Sequence, residues 1–347
     1  METATTPRGA LAAALEVAQG LAPVGVAIRR WRDESDYDAM VRVFRTARPV
    51  DGTDWEITTA TLAADVNGIG LKADDCILVS EMDGEVVGWT RMFDYGLSRD
   101  DGRLLTHSGY VDPTYRRRGI GRALLTGAQA ELRRIVAAQP SPAGTIASLQ
   151  SWVYATNVSA IALLDGDGYV PWRYMIEMTR PLDDVPSIEL PAGLTSRPVR
   201  PEDRRHIVLA LNDAMQDHPG WPDWSEGQLM GMVDHPIRGQ IDIWQVAWNG
   251  DDVVGGVLGF IDADENAALG RNRGYTEGIF TLRDWRGRGV ASALIGQNLR
   301  LLQARGLTEA ALTVDTENPT GALGLYERHG FREGTRMVIY RKVLGAD

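Results

Sequence analysis

The sequence predicts an α/β protein of two tandem domains, each a mixed sheet with flanking helices. Three observations lead there. The second half of the chain repeats the first at a spacing near 170 residues, too long for a solenoid and right for a duplicated domain. Both halves carry one strand-to-helix device, YRRRGIGRAL (Tyr115 to Leu124) and WRGRGVASAL (Trp285 to Leu294), in gapless register because Gly119 plus 170 is Gly289. Apolar β-hairpins precede the device in each half, and helical apolar spacing follows it.

The elements follow in order. Residues 1–24 are Ala/Leu-rich, but Glu2, Glu16 and a poor basic region argue against a secretion signal, so a short helical extension ending at Pro23 is expected. The first domain, 25–181, opens with VAIRRWRDESDYDAMVRVF, a strand, an acidic turn and a helix. LTSRPVRPEDRRHIVLAL opens the second, 194–347, in the same way. ILVSEMDGEVVGW and WQVAWNGDDVVGGV each read as a hairpin with an Asp-Gly or Asn-Gly turn. After the device come strand, loop, helix and a Gly-aromatic pair, Gly168-Tyr169 and Gly330-Phe331, and each half closes on a strand, RYMIEMTRPL or RMVIYRKVL. The expected order is β-α-β-β-β-α-β-α-β with an extra early helix. Leu182 to Gly193, with its prolines and acids, is expected to be an exposed linker.

Composition narrows the function. A formal charge of −11 argues against a nucleic-acid surface and fits a cytoplasmic protein. Cys76 is the one cysteine, and the five histidines form no metal-binding pair, so neither disulfide nor metal is expected. No apolar run reaches the ~18 residues of a membrane span.

The device, Arg116-x-x-Gly119-x-Gly121 and Arg286-x-x-Gly289-x-Ala291, carries the chemistry. A helix start exposes unpaired N–H groups at the positive end of the dipole. Glycine lets an anion reach that backbone, a small residue two places on keeps the first turn open, and arginine adds charge-assisted bonds. The device therefore reads as a pyrophosphate cradle. A Walker loop needs Gly-Lys-Ser/Thr, yet Lys72 and Lys342 are the only lysines; a dinucleotide fingerprint lacks its third glycine.

On these residues both halves resemble the GCN5-related N-acetyltransferase (GNAT) family, whose motif is (Q/R)-x-x-G-x-(G/A). The resemblance implies two GNAT-fold domains, each a mostly antiparallel twisted sheet with a splayed parallel pair of central strands. It also implies acetyl-CoA as donor and a primary amine of a small molecule or peptide as acceptor. The cofactor-binding residues it implies are Arg286, Gly287, Arg288, Gly289, Val290, Ala291 and Ser292, with Arg116, Arg117, Arg118, Gly119, Ile120, Gly121 and Arg122 in the first half. Backbone N–H groups near Phe280 and Thr281, or Tyr110 and Val111, would face the oxyanion. Asn318 would bind the cofactor, Tyr326 would protonate the departing thiolate, and Glu277 would be the base, a strand-edge carboxylate being the alternative.

The first half departs from the pattern. Four before Gly168 stands Leu164, where the second half has Tyr326, and eight after Asn157 stands Asp165. By sequence register His107 takes the place of Glu277. Divided labour is expected, with catalysis in the second domain. Trp221, Trp224, Asp217, Asp223 and Asp234 are candidates for an aromatic-acidic cleft around a cationic amine. An acyl-CoA sensor without turnover, or a thiol-sugar acceptor, remain as alternatives.

Overall fold

The computed structural model describes residues 7–68, 73–98, 102–218, 220–318 and 321–345. The chain forms two compact units: one takes most of the chain to Trp172 and again from Val338, the other is built on Arg173–Met337.

The first unit begins with α1 (Pro7–Leu21), β1 (Val26–Arg30), α2 (Ser35–Asp51), α3 (Thr59–Gly68) and the single turn α4 (Ala73–Cys76). It continues with β2 (Ile77–Met82), β3 (Glu85–Ser98), β4 (Gly102–Val111), α5 (Ile120–Ala138), β5 (Ala147–Tyr154) and α6 (Val158–Asp165). The expected extension is the helix α1. It is part of the core: Ala14 and Ala18 are buried, and a Cβ on Gly127 of α5 would lie 2.7 Å from that of Ala18. Gln19 fastens α1 to β1, donating to the Val26 carbonyl and accepting from the Ile28 N–H.

Strands β1 to β4 are antiparallel neighbours, and β5 runs parallel to β4. One face packs on α5 around Leu105, Leu124 and Leu149. The other carries α2, with Phe44 against Tyr110 and Trp89 buried beside them.

β6 (Val170–Pro181) leads into the second unit: β7 (Thr195–Ser196), α7 (Arg204–Met215), α8 (Glu226–Asp234), β8 (Gln245–Asn249), β9 (Asp252–Val257) and α9 (Ala263–Leu269). Then come β10 (Arg273–Tyr275), β11 (Phe280–Thr281), α10 (Val290–Ala304), β12 (Glu309–Asp315), α11 (Ala322–Arg328) and β13 (Arg332–Val343). The single fourth strand expected in this half is broken into β10 and β11. β10 pairs in parallel with β12, while β11 joins β9, β8 and β7 in a sheet of four.

The units depart from the sequence repeat at its ends. From Met175 to Pro181, β6 pairs antiparallel with β12 inside the second unit. The end of β13 returns to the first unit, where the Leu344 N–H donates to the Ala147 carbonyl of β5 at 2.9 Å. Each half thus gives its last strand to the other's sheet, a pairing that no local pattern encodes. The segment after β6 has no regular structure, and it is docked rather than free. Leu182 is buried in the second core, and Arg300 of α10 donates to the Pro186 carbonyl at 2.7 Å.

Candidate active site

Each device folds as a short helical turn, an irregular loop and a long helix. In both, the loop needs a left-handed residue at two positions: Arg117 (φ 63°) and Gly119 (φ 97°), then Gly287 (φ 72°) and Gly289 (φ 88°). A Cβ on Gly119 or Gly289 would meet nothing within 4 Å, so the approach to the backbone is open. The first N–H groups to bond back into each helix are Ala123, to the Gly119 carbonyl, and Ala293, to the Gly289 carbonyl, both at 3.0 Å. The helices therefore leave the N–H groups of Ile120, Gly121 and Arg122, and of Val290, Ala291 and Ser292, outside their ladders. Arg118 stacks over Tyr115 at 5.3 Å and Arg288 over Trp285 at 5.0 Å, adding charge beside each cradle.

The motif arginines do something else. Arg116 donates from Nε to the Val111 carbonyl (3.0 Å) and clasps Asp51 with both remaining nitrogens (2.6 and 2.8 Å). Arg286 donates from Nε to the Thr281 carbonyl (3.1 Å), from Nη1 to Asp217 (2.9 Å) and from Nη2 to the Ala214 carbonyl (2.8 Å). Both guanidiniums are engaged within the fold, so they set the loop's shape rather than reach out to a phosphate. Sequence reasoning missed Asp51 and gave Asp217 a different role, as a cleft acid rather than the partner of Arg286. Extending the repeat past the helices that precede them brings the two within a residue or so of alignment.

Beyond the cradle the central strands part. In the second unit Thr276 N–H still reaches the Ala311 carbonyl (2.8 Å), and then the backbones diverge. Glu277 spans the opening, its Oε1 accepting from the Thr313 N–H at 2.7 Å. Desolvation at this position pushes its carboxyl up to about 7, against the pull of the Thr313 donors. On β11, Leu282 N–H donates to the Val254 carbonyl (3.0 Å). Residues of an antiparallel pair alternate, so Phe280 also turns its N–H to β9, and Thr281 turns its own away, toward the opening. Of the two expected donors, Thr281 is the one so placed.

A bulge accounts for the broken strand. Phe280 pairs with Gly256, but Tyr275 bridges Phe260, so five residues on one side match four on the other. Gly278 sits in it at φ 56°, with Leu258 so close that a Cβ would lie 2.9 Å away. β4 of the first unit has no such bulge between Val111 and Leu105. The shift corrects the expected counterpart of Glu277. Across the sheet, Glu277 corresponds to Ser108 and not to His107, because the extra residue reverses which side chains face the helix. His107 instead lies in the core against the Tyr169 hydroxyl (2.8 Å), and burial holds its imidazole down to about 4.

Tyr326 sits on α11 where the chain turns back, with its ring edge-on to Phe331. Burial, and then the charge of Glu277, raise its phenol well above the ordinary tyrosine range. The two groups thus feel one another across the opening. Leu164 occupies the equivalent place in the first unit. The Tyr169 N–H bonds to the Leu164 carbonyl (3.0 Å) as the Phe331 N–H bonds to that of Tyr326 (3.1 Å). Asn318 lies in the loop after β12, its N–H donating to the Asp315 carbonyl (3.2 Å), whereas Asn157 caps α6 through the Ala160 N–H (3.0 Å).

Two further side chains bear on the site. Ser292, in the first turn of α10, is 2.8 Å from Nε2 of the buried His329, whose imidazole is held below its ordinary range by burial and then by Arg180 and Arg328. Nothing in the spacing of histidines pointed to this pair. The proposed aromatic-acidic cleft is corrected. Asp217 is held far below the usual carboxylate range by Arg283 and Arg286, and Asp234 pairs with Arg204. Trp221 and Trp224 stack on each other at 5.3 Å, with the Trp221 indole donating to Asn212 (2.9 Å). Asp217 and Asp234 thus neutralise arginines, which takes two of the three expected acids out of a cation site, while Asp223 is exposed.

A mixed sheet whose parallel central strands splay beside an open helix-start cradle defines an acyl-CoA-type acyltransferase fold. The chain belongs to the GNAT family: residues 211–331 match the acetyltransferase (GNAT) family and residues 73–163 the acetyltransferase (GNAT) domain. It is a tandem GNAT acetyltransferase. It is 33% identical over 236 residues to a mycothiol acetyltransferase of Salinispora arenicola, covering 67% of this chain and 71% of the relative. Over 317 residues it is 28% identical to that of Geodermatophilus obscurus, covering 89% and 95%. A GCN5-related N-acetyltransferase from Sphaerobacter thermophilus superposes with TM-score 0.70 at 27% identity, over 94% of this chain and 98% of that one. A tandem GNAT protein from the clavulanic acid biosynthesis pathway shares the fold, with TM-score 0.66 at 14% identity, over 93% and 99%.

Proposed function

We propose that the second half of the chain transfers an acetyl group from acetyl-CoA directly to a primary amine, with Glu277 as base and Tyr326 as acid. The observation that carries this is the position of Glu277: at the mouth of the strand splay, desolvated to a carboxyl near 7 and coupled to Tyr326. A base of that strength takes a proton from an ammonium and leaves the amine free to attack the thioester carbonyl. As the C–N bond forms, the Thr281 N–H donates to the oxygen that gains charge. As the C–S bond breaks, the Tyr326 hydroxyl gives its proton to the sulfur and recovers one from water. The N–H groups after Gly289, with Arg288, hold the pyrophosphate.

The relatives' name directs attention to mycothiol chemistry for the acceptor, consistent with a small amine rather than a nucleic acid. We place the enzyme in the cytoplasm. We assign the first half a binding role: its cradle is open, but Leu164 donates no proton and His107 is buried and neutral. Cys76 is buried and its thiol is pushed up to about 12, which disfavours an acyl-cysteine intermediate. The test is release of free thiol from acetyl-CoA across an amine panel, followed with Tyr326→Phe. We expect kcat to fall by at least ~10-fold with donor binding preserved. Unchanged kcat under conditions where thiolate departure limits the rate would reduce Tyr326 to a packing role.

A further inference from the structure

In the first unit the strand splay opens onto a polar cluster that the acetyl-transfer chemistry does not use. On the sheet face that carries α2 and α3, Arg91 stands opposite Ser108 and Phe93 opposite Thr106. Thr106 pairs in turn with Gln150 of β5, the last pair before the strands part. Arg91 donates from Nε to Ser108 Oγ (3.2 Å) and from Nη1 to Asp65 Oδ2 (2.9 Å), and its guanidinium lies 5.0 Å over the Phe93 ring. Thr106 Oγ1 and Gln150 Nε2 are buried without a hydrogen-bond partner, in residues only 6% and 5% exposed.

Buried polar groups without partners destabilise a fold, and proteins pair nearly all of them. Two adjacent ones beside a largely buried arginine mark a place that a molecule other than this chain completes. Asp65 and Ser108 already take Nη1 and Nε of Arg91, so the donors left on offer are its Nη2, the Gln150 amide N–H and the Thr106 hydroxyl. An acceptor-only, negatively charged group satisfies them together. The contrast with the second unit is in sign, since Ser108 and its Arg91 stand where that unit sets the Glu277 carboxylate.

We propose that the first unit binds a carboxylate group between Arg91, Thr106 and Gln150. The carboxylate belongs either to a free small dicarboxylic acid or to the far end of a carboxyacyl-CoA seated in the first cradle. Only the second source rests on reading that cradle as a CoA site.

The test is calorimetric titration of the full-length protein with succinate, acetate, succinyl-CoA and acetyl-CoA, comparing wild type with Thr106→Val, Gln150→Leu and Arg91→Met. Saturable succinate binding that the variants lose supports the site with a free acid. A preference of about tenfold or more for succinyl-CoA over acetyl-CoA, cut at least about fivefold in the variants, supports it with a carboxyacyl-CoA. Thr106→Val and Gln150→Leu remove unpartnered buried atoms, so their melting temperatures should match or exceed wild type, which keeps the test valid if Arg91→Met fails to fold. The proposal is overturned if neither ligand class shows binding or preference, or if either effect survives Thr106→Val and Gln150→Leu undiminished.

Discussion

As the proposed base, Glu277 must be a carboxylate to accept a proton, and its carboxyl is pushed up to about 7 from 4.5. kcat/KM should therefore climb with pH through about 7 and flatten above it. In Glu277→Gln that limb should vanish, with activity down by ~10²–10⁴-fold; a pH–rate profile on both proteins checks it. The stability effect has the opposite sign. The raised carboxyl supports the fold fully below about 4.5, and that support is lost as pH rises through 7. A second residue gives a cleaner stability test. Arg117 is exposed and held at φ 63°, where the other copy has Gly287 at φ 72°. Arg117→Gly should stabilise the protein by ~1 kcal/mol by relieving left-handed strain, a shift readable in chemical denaturation. Much of this scale was legible in the sequence: the device, Glu277 and Tyr326 stood in register with recognisable neighbours. What stayed hidden was occupancy. That Arg116, Arg286, Asp217 and Asp234 were already paired depends on partners 30 to 72 residues away.

At the scale of elements, the two cradles are near copies, with the same left-handed positions and the same tie from arginine to the strand carbonyl. What differs is the strand that feeds them. Alternation of apolar residues predicts a strand but not a bulge, because one extra residue leaves composition and periodicity almost unchanged. That is why gapless register set His107 against Glu277, while the sheet sets Ser108 there. The consequence is kinetic. Gly289→Asp places a side chain and a negative charge in the second cradle and should abolish turnover, with donor affinity down by ~10²-fold or more. Gly119→Asp should spare most of it. Steady-state kinetics on both folded variants decide the matter, and the reverse result would move catalysis to the first half.

For the whole molecule, the exchange of last strands means that sequence halves and folded units are different divisions of one chain. Val338 and Tyr340, which belong to the second repeat, are buried in the first unit's core. Tyr340→Asp should thus loosen β5 and α6, seen as faster amide exchange there, while α10 and β12 keep their protection. Protection lost in the second unit instead would refute the assignment.

The order in which a ribosome delivers the chain gives the exchange another meaning. Arg173–Met337 emerges as one stretch, whereas the earlier unit receives its closing strand only from Val338 onward, after that stretch has been made. Until then β5 presents an unfilled row of backbone donors and acceptors to whatever is nearby. The unit made first is the one completed last, so the nascent protein carries a sticky edge through most of its synthesis.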